Sequence, residues 1–455
     1  MDIVLHHRFN ADVHGIEREG NRITLDIPAW KPLAFSVPTS GLADAIVALG
    51  GDGASVETLV RIAAVGLDAG EATKRVEYYL ERFRRARLLE WLARRDGEVI
   101  AILHSLTGGF GLAEGAPPDE PMTLSRFAYA RRDASDLLLE SPETPCRAIL
   151  KGSGTDLLRW VADRREGLPA ADPLLALLWR AGFLEPAARP EADDRATWEF
   201  HDRLFHVASR SGRDAIPVGG TYRFKDRFPA PPAIKPPMSA DRILLPPPDM
   251  AAVAERSDRL ATIMDRRRST RDYAATPITI GQISEFLFRV ARIIRTFSGG
   301  GQELMSRPFP SGGSIYEIEF YLAVGACEGL SPALYYYRGV EHALERLPDT
   351  ADGAKRLLAD AGMAMAQPDR PPHVLVVLAA RLPRFAWKYQ SMAYRLTLMN
   401  AGVIIQTMYL VATDMGIAGC ANGSGNMRTF ADATGLDPLV ETSVGEFAIG
   451  SLGSA

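Results

Sequence analysis

The C-terminal half of the chain carries helical patterns of apolar residues. Residues 279–294 begin with Thr279 as a helix N-cap and Gln282 three positions later, the spacing of a capping box. The apolar positions that follow lie on one face of a helix: Ile283, Phe286, Leu287, Val290 and Ile294. Residues 393–415 are apolar over a longer stretch but contain Arg395, Asn400, Gln406 and Asp414. This stretch therefore predicts a buried core helix and not a membrane span.

Strand-like patterns lie between these helices. Residues 317–324 alternate, which predicts a strand with Ile318, Phe320, Leu322 and Val324 on one side. Residues 373–381 form a continuous apolar run, typical of a central strand covered on both faces. A short final strand is predicted at residues 446–453. Together these patterns predict an α+β layer, with helices packed on a mostly antiparallel sheet.

The N-terminal half predicts two smaller units. In residues 1–115, helical spacing at 41–49, 55–65 and 71–85 precedes two apolar runs around Asp96-Gly97, which is a strong hairpin signal. Three helices and a hairpin predict a winged-helix-like unit. Residues 120–225 repeat the pattern more loosely, with helices expected near 155–164, 173–181 and 196–213.

A proline-rich stretch separates the two halves. Residues 228–249 read "FPAPPAIKPPMSADRILLPPPD", and so much proline is incompatible with a helix and holds an extended path. The predicted division is therefore 1–115, 120–225, a linker at 226–250, and a C-terminal domain at 251–455.

Composition and charge narrow the class of protein. The 455 residues are 47% hydrophobic and 24% charged with a net charge of -4, so no positive field favours nucleic acid. The cysteines Cys146, Cys327 and Cys420 lie far apart, which makes a disulfide framework or a zinc site a poor fit. The first residues lack a signal-peptide pattern, so a cytoplasmic location is expected.

Three stretches could hold parts of a ligand that has a phosphate and a flat ring. "RRRSTRDY", residues 266–273, places four arginines beside hydroxyls, a set that matches phosphate oxygens, although a solvated basic turn fits the same spacing. "PSGGS", residues 310–314, permits close backbone approach to a ring, although such loops are common. "GIAGCANGSGN", residues 416–426, is expected as a glycine-rich loop that wraps a ligand edge or simply ends the long helix.

The stretch "FAWKYQSMAYR", residues 385–395, suggests proton transfer. Lys388 precedes the long helix, whose positive N-terminal dipole favours the neutral amine, and a neutral lysine can act as a general base beside Tyr389. The alternative is a lysine that extends from a partly buried aromatic patch into solvent. No metal site is predicted, because His342 and His373 are isolated in this half, and no nucleotide-binding glycine fingerprint follows a strand.

In this order the stretches resemble the nitroreductase-like flavoproteins, and more closely the SagB-type dehydrogenases that include the microcin and cyanobactin azoline oxidases. "RRRSTRDY" resembles the family's Arg-Arg-Ser-x-Arg-x-Tyr start, and "RPFPSGGSIY" is similar to its Arg-Pro-x-Pro-Ser-Gly-Gly-x-x-Tyr stretch. "KYQSMAYR" resembles the Lys-Tyr motif of the azoline oxidases. "WEFHDRLFHVASRSGR" with the proline-rich stretch resembles what precedes the catalytic domain in longer members.

The resemblance implies a C-terminal nitroreductase-like FMN fold after two winged-helix-like units, with FMN bound non-covalently at a homodimer interface. It implies that the phosphate and ribityl chain are held by Arg267, Arg268, Ser269 and Arg271. It implies a loop along the flavin, usually supplied by the other subunit, made of Pro310, Ser311, Gly312 and Gly313. Residues near the flavin N5 edge would be Gly419, Cys420, Ala421, Asn422 and Gly423. Lys388 and Tyr389 would be the catalytic pair.

The implied reaction is oxidation of thiazoline or oxazoline rings in a ribosomally made peptide to thiazoles or oxazoles. A base would remove the ring Cα proton, flavin N5 would accept hydride from the neighbouring ring carbon, and oxygen would reoxidise the flavin. The implied partners are a precursor peptide bound by the winged-helix-like units and an azoline-forming cyclodehydratase. The sequence departs from some members in lacking a basic residue near the end "GSLGSA", and Cys420 has no evident role.

Two other functions fit part of the sequence. One is an FMN oxidoreductase of the same fold that uses NAD(P)H on a small molecule such as a nitroaromatic or a quinone. The other is a non-enzymatic winged-helix protein that binds DNA, which the net charge of -4 disfavours.

Overall fold

The structure is a computed structural model that describes residues 3–28, 30–156, 173–188 and 192–453. The chain divides into two compact units, Met1–Pro217 and Val218–Ala455.

The N-terminal unit combines short helices with antiparallel strands. Its helices begin where the sequence supplies caps: the side chains of Thr39, Ser55 and Asp68 each accept from the backbone N–H three residues on. In chain order its elements are β1 (Ile3–Phe9), β2 (Gly15–Glu19), β3 (Arg22–Asp26), β4 (Leu33–Ser36), α1 (Ser40–Val47), β5 (Ala54–Ser55), α2 (Val56–Ala63), α3 (Ala69–Arg85), β6 (Leu89–Arg95), β7 (Glu98–Ser105), β8 (Met122–Leu124), β9 (Tyr129–Asp133), β10 (Asp136–Glu140), β11 (Cys146–Leu150), α4 (Pro173–Arg180), β12 (Leu184–Pro186), α5 (Asp193–Ala196) and α6 (Phe200–Ala208).

The three predicted helices and the β6–β7 hairpin around Asp96-Gly97 are confirmed. The division into separate units at 1–115 and 120–225 differs from the structure, because one sheet in the order β5-β1-β6-β7-β11-β10-β9 runs through both. A second sheet, β2-β3-β4, packs with α1–α3 around its own apolar core. The helix predicted at 196–213 is shorter, and the one near 155–164 falls largely outside the described residues.

The C-terminal unit is built around one larger sheet. In chain order its elements are β13 (Gly219–Gly220), β14 (Arg242–Leu244), α7 (Met250–Arg256), α8 (Leu260–Arg266), β15 (Ile278–Thr279), α9 (Ile280–Ala291), β16 (Arg295–Gly299), β17 (Gln302–Ser306), β18 (Ile318–Val324), β19 (Cys327–Glu328), β20 (Ala333–Arg338), β21 (Ala343–Arg346), α10 (Ala351–Ala364), β22 (Val374–Ala380), α11 (Leu382–Ala386), β23 (Tyr389–Gln390), α12 (Ala393–Met415), β24 (Ile417–Asn422), α13 (Met427–Thr434) and β25 (Thr442–Ser451).

This sheet has the order β14-β21-β20-β18-β22-β25-β24, and every pair of neighbours is antiparallel. The predicted antiparallel layer is therefore confirmed. The strand predicted at residues 317–324 is confirmed, and all of β18 is buried. Phe320 packs in a core with α9 and α12, whereas Tyr321 packs in a second core with α10 and α13. Helices thus cover both faces of the sheet.

Helix α12 is the central helix of the first core. It covers the predicted span and ends at Gly416, which has φ +66°. Among the described residues, α12 is the one helix whose length and apolar composition would allow it to cross a membrane. Ala401, Ile404 and Met408 nevertheless pack it against the sheet, which makes it a core helix in this fold.

The proline-rich stretch differs most from its prediction as a linker. Arg384 donates to the carbonyl of Pro231 over 2.7 Å, and Arg381 donates to that of Pro232 over 3.0 Å. Ala233 is 1% exposed, and β14 pairs with β21 at the edge of the large sheet. Because these carbonyls and apolar groups have partners within Val218–Ala455, the stretch is a structural part of the C-terminal unit.

Candidate functional site

The arginine segment, residues 266–273, lies beside α12 and β24. Ser269 Oγ is 2.8 Å from Tyr409 Oη, and the Arg267 guanidinium carbon is 5.3 Å from the centre of the Tyr409 ring. Thr270 N donates to the carbonyl of Gly419 over 3.0 Å. The structure therefore brings the predicted phosphate residues next to the predicted glycine-rich stretch, with Tyr409 between them.

A cavity of about 240 Å³ opens at this place. It is lined by Arg266, Arg268, Thr270, Tyr409, Ala412, Thr413, Gly416, Ile417, Gly419 and Leu452. Arg266 forms an ion pair with Asp258, but no carboxylate of the described residues pairs with Arg268 or Arg271, and both are exposed. The cavity therefore combines a concave wall with guanidinium groups available to an anion.

The stretch expected as a glycine-rich loop is a strand over most of its length. Residues 417–422 are β24, an edge strand paired with β25, and the loop begins only at Gly423, which is exposed. A Cβ at Gly419 would lie 2.9 Å from Phe447 Cζ, so its missing side chain is explained by packing. Ala421 N donates to Tyr409 Oη over 2.9 Å.

Two predicted ligand residues of β24 have their side chains turned to internal partners. Cys420 is 0% exposed and packs in the second core with Tyr273. The Asn422 amide donates to the Glu446 carboxylate over 2.6 Å, and burial raises the pKa of Glu446 above its ordinary range. The Cys420 side chain is thus a core group and the Asn422 side chain a structural one.

The Ser-Gly-Gly loop, residues 310–314, forms a single 3-10 turn over Gly312–Ser314. Gly312 N donates to Asn400 Oδ1 on α12 over 3.3 Å. Gly313 has φ +62°, a conformation that favours glycine. Pro310 and Gly313 are exposed, while Ser311 and Gly312 are half-buried. The loop therefore presents backbone to its surroundings and is tied at one point to the central helix.

A buried hydrogen-bond network holds this loop. The Asn400 amide donates to Glu317 Oε1 over 3.0 Å and to Ser311 Oγ over 3.1 Å. Ser311 Oγ also accepts from Tyr316 N over 3.1 Å. Burial raises the pKa of Glu317, while the Asn400 and Ser311 donors act in the opposite direction. The network fixes the loop relative to α12.

Lys388 and Tyr389, the Lys-Tyr pair, lie directly against this loop. A Cβ at Gly313 would be 2.6 Å from Tyr389 Oη and 2.8 Å from Lys388 Nζ, so only glycine leaves both polar groups in place. Both side chains are half-buried, and the Phe385 ring centre is 5.1 Å from that of Tyr389. The predicted pair and the predicted loop therefore meet within one chain.

Arg384 anchors the segment that carries the pair. Its guanidinium is 1% exposed and donates to three carbonyls, those of Ile315, Pro231 and Glu303, over 3.0, 2.7 and 2.7 Å. Burial lowers the pKa of Arg384 to about 10. One side chain thus ties α11 to the Ser-Gly-Gly loop, the proline-rich stretch and β17.

The sequence-predicted residues form two groups along α12. The Ser-Gly-Gly loop and the Lys-Tyr pair attach near Asn400, and the arginine segment and β24 attach near Tyr409. Nine residues of helix separate the two attachment points, a rise of roughly 13 Å. Sequence reasoning missed Tyr409 and Glu317, because each lies in a run that predicts only a core helix or strand. It also missed Arg384, which lies between the predicted strand at 373–381 and the stretch 385–395. Asn400 is visible as a polar interruption of α12, but its partner is not.

Within the described ranges, no group of three or more His, Cys, Asp and Glu side chains is placed to hold a metal ion.

The chain matches two protein families. Residues 264–451 match the nitroreductase family, and residues 122–215 match cyanobactin oxidase ThcOx. The C-terminal unit thus has a nitroreductase-like fold, and the chain carries a nitroreductase domain preceded by a region related to a cyanobactin oxidase.

The chain is also similar to individual proteins. A putative nitroreductase of Methanocaldococcus jannaschii is 28% identical over 166 residues, which are 36% of this chain and 79% of that protein. The microcin B17-processing protein McbC of Escherichia coli is 27% identical over 129 residues, 28% of this chain and 47% of McbC. The E. coli microcin synthetase McbBCD complex with truncated pro-MccB17 bound aligns at a TM-score of 0.36 and 19% identity, covering 55% of this chain and 92% of that one.

Proposed function

We propose that this chain is an FMN-dependent dehydrogenase that oxidises thiazoline or oxazoline rings of a ribosomally made peptide to thiazoles or oxazoles. The observation that carries the proposal is the contact between the Lys-Tyr pair and Gly313. This contact puts two groups that can transfer protons beside a loop residue that has no side chain, so a flat ring can approach the backbone there. The match of residues 122–215 to a cyanobactin oxidase and the similarity to McbC support the choice of substrate.

The residues around Tyr409 fit the phosphate of FMN. Arg268 lines a cavity without a carboxylate partner among the described residues, Arg267 stacks near Tyr409, and Ser269 adds a hydroxyl. Guanidinium and hydroxyl donors are the groups that bind phosphate oxygens. Arg271 is exposed in the same segment and adds positive charge. We assign these four residues to the phosphate and ribityl chain, and the backbone of β24 to a neighbouring edge of the cofactor.

Bound FMN would supply the hydride acceptor for the ring carbon. The chain itself must remove the Cα proton of the azoline, and Lys388 Nζ and Tyr389 Oη are the two groups held at the loop that can take it. Phe385 and Trp387 are buried beside them and limit the access of water. Because Asn400 and Glu317 fix the loop and Arg384 fixes α11, the pair does not need to be reorganised for the transfer.

A homodimer is supported by the outer face of α12. This face exposes apolar side chains at helical spacing: Tyr394, Leu398, Met399 and Val403. A Cβ at Gly402, on the same face, would have nothing within 4 Å, which leaves room for another backbone. The buried Asn400 lies on the opposite side of the same helix, whereas the half-buried Tyr409 lies at nearly the same angle as Leu398 and Gly402. A second copy seated here would therefore lie on the side of α12 that carries Tyr409 and its contact with the arginine segment. Light scattering of the Leu398→Glu variant is expected to show half the mass of the wild type.

Binding of a precursor peptide is supported by strand β4 in the N-terminal unit. Among the described residues nothing pairs with its outer edge, and Leu33 is 38% exposed. The Phe35 ring of β4 stacks on the Tyr79 ring of α3 at 5.8 Å, so an aromatic side chain of α3 lies beside this strand. An extended leader segment could add to this edge as a strand. Substitution Leu33→Asp is expected to weaken binding of a fluorescent precursor peptide, with the exposed Val65→Asp as the control.

A cyclodehydratase is the proposed supplier of the azoline. Oxidation of the ring requires that the ring already exists, so an enzyme that dehydrates a cysteine, serine or threonine amide must act first. The E. coli microcin synthetase McbBCD complex was solved with truncated pro-MccB17 bound, and we propose a comparable association for this chain.

The visible spectrum and one assay test the proposed function. The purified protein is expected to be yellow, with flavin absorbance released as FMN on denaturation. Incubation with a thiazoline-containing peptide and oxygen is expected to lower the peptide mass by two hydrogens. A colourless protein that does not take up added FMN would overturn the proposal, as would a flavoprotein that leaves the ring unoxidised in the presence of its cyclodehydratase.

A second candidate is an FMN oxidoreductase that uses NAD(P)H on a small molecule. The similarity to a putative nitroreductase over 79% of that protein favours it. Rapid NADPH oxidation with a nitroaromatic and without any peptide would favour this candidate over azoline oxidation.

A further inference from the structure

Residues 218–228, here called the strap, reach the Lys-Tyr pair from outside both matched regions. The cyanobactin oxidase match ends at residue 215 and the nitroreductase match begins at residue 264. Strand β13 in the strap pairs antiparallel with β23, with Gly220 opposite Tyr389. Tyr222 N donates to the carbonyl of Lys388 over 3.1 Å. The strap is therefore hydrogen-bonded to the backbone of the pair itself.

Tyr222 also contacts the side chain of Lys388. Lys388 Nζ lies 5.8 Å from the centre of the Tyr222 ring and 5.2 Å from that of Tyr389. Both distances are within the range of a cation–π interaction. A Cβ at Gly220 would be 3.7 Å from Lys388 Cε, so the strap also packs along the lysine stem.

The Tyr222 ring is held on its other sides. It meets the Trp387 ring edge-on at 5.9 Å, and a Cβ at Gly300 in the β16–β17 turn would be 2.8 Å from Tyr222 Oη. Tyr222 has φ +53°, which is uncommon for a residue with a side chain. Positive φ also occurs in the Ser-Gly-Gly loop and just after the pair, at Ser314, Tyr316 and Ser391. Backbone strain of this kind concentrates at functional sites.

We propose that Tyr222 is a positioning residue for the Lys-Tyr pair: its ring, together with that of Tyr389, fixes where the amine of Lys388 lies. In this arrangement Lys388 Nζ stays beside Tyr389 Oη and Gly313, at the place where the azoline proton must be taken up. The inference deepens the proposed function and rests on it. It also gives the strap a role that neither matched region includes.

The test compares side chains at one position. Tyr222→Phe keeps the ring and removes the hydroxyl, whereas Tyr222→Leu and Tyr222→Met remove the ring; the unbranched methionine preserves more of the packing if leucine prevents folding. The matched control is Phe224→Leu, because Phe224 belongs to the strap but stacks on Phe228 at 5.0 Å, whereas the Tyr222 ring lies within cation–π range of Lys388. All variants are made in the full chain and loaded with FMN.

Two readouts are needed. The first is kcat for oxidation of a thiazoline-containing peptide, which is expected to fall about tenfold in the variants without a ring and to stay near wild type in Tyr222→Phe and Phe224→Leu. The second is the ¹³C-labelled ε-methylene signal of Lys388, identified by its loss in Lys388→Arg among the seven lysines of the chain. Ring-current shifts of this signal are expected to persist in Tyr222→Phe and to diminish in Tyr222→Met.

The outcomes separate the two proposals. If Tyr222→Met keeps the wild-type kcat and leaves the Lys388 signal in place, while Lys388→Ala abolishes oxidation, the inference about Tyr222 is wrong and the proposed function stands. If Lys388→Ala oxidises the peptide at the wild-type rate, or the wild type does not oxidise it, the proposed function fails. The NMR signal then still decides whether Tyr222 positions the lysine.

Discussion

The Ser-Gly-Gly loop and the arginine segment both attach to helix α12, but they are held in different ways. The loop is tied to Asn400 and to a fully buried Glu317, whereas the arginine segment meets α12 through Tyr409 and is largely exposed. One end is ordered by the protein's own buried hydrogen bonds. The other leaves guanidinium groups in solvent, where an incoming anion can pair with them. We therefore propose that the first end carries the chemistry and the second end the affinity for the cofactor.

The largest expected effect tests the chemical end. Lys388→Ala is expected to lower the rate of azoline oxidation by about 100-fold or more, because it removes one of the two groups that we propose for transfer of the ring proton. The FMN content is expected to stay at the wild-type level, measured by flavin absorbance after denaturation. Loss of FMN together with activity would contradict the separation of roles between the two ends.

The arginine end is tested by the double variant Arg267→Ala, Arg268→Ala. Loss of two charged donors to phosphate is expected to raise the FMN dissociation constant roughly 10- to 100-fold. The turnover number at saturating FMN is expected to remain close to wild type. The control is Arg266→Ala, which breaks an ion pair with Asp258 at the same cavity. An unchanged FMN affinity in the double variant would rule out the phosphate assignment.

A smaller effect is expected from Gly313→Ala. It introduces a side chain at φ +62°, which costs about 1–3 kcal/mol of stability, and its Cβ would collide with both polar groups of the Lys-Tyr pair. Gly435→Ala is the matched control, because Gly435 has φ +69° and a Cβ there would meet nothing within 4 Å. Similar melting temperatures but slower oxidation only in Gly313→Ala are expected. Equal rates would place the azoline elsewhere.

The smallest effect concerns pH. Burial raises the pKa of Glu317 in the folded protein, so the stability linked to its protonated form is complete below the ordinary value of 4.5 and is lost as pH rises through the folded pKa. Glu317→Gln removes this titration. Urea titrations at a series of pH values upward from 4.5 give the free energy of unfolding of both proteins. As pH rises, this free energy is expected to fall less steeply in the variant than in the wild type. Parallel slopes would show that the pKa of Glu317 is not raised.

The two ends also differ in how far the sequence predicts them. Arginines and hydroxyls close together in residues 266–271 fit a phosphate site or a solvated basic turn by residue type alone. Lys388-Tyr389 precedes a helix that the apolar pattern delimits. Glu317 and Tyr409 lie inside apolar runs, where a polar side chain is visible but its partner is not. The partner of Glu317 is 83 residues away in sequence, and that of Tyr409 is 140 residues away.

The same limit explains the errors in fold. Residues 417–422 contain glycine and small residues that suggest a loop, but pairing with β25 makes them a strand. The proline-rich stretch has the composition of a linker, but its carbonyls meet buried arginines about 150 residues later, at separations of 149 and 153. Local patterns predict which residues form a helix or a strand. They do not predict which distant residues supply its hydrogen-bond partners.

Helix α12 sets the distance and the rotation between the two ends of the site. An inserted or deleted residue between Asn400 and Tyr409 would turn one of them by about 100° relative to the other and change their spacing by about 1.5 Å. Either change would separate the hydroxyl of Tyr409 from Ser269 while Asn400 stayed on its loop. In related sequences, the stretch between Asn400 and Tyr409 is therefore expected to tolerate substitutions but not insertions or deletions.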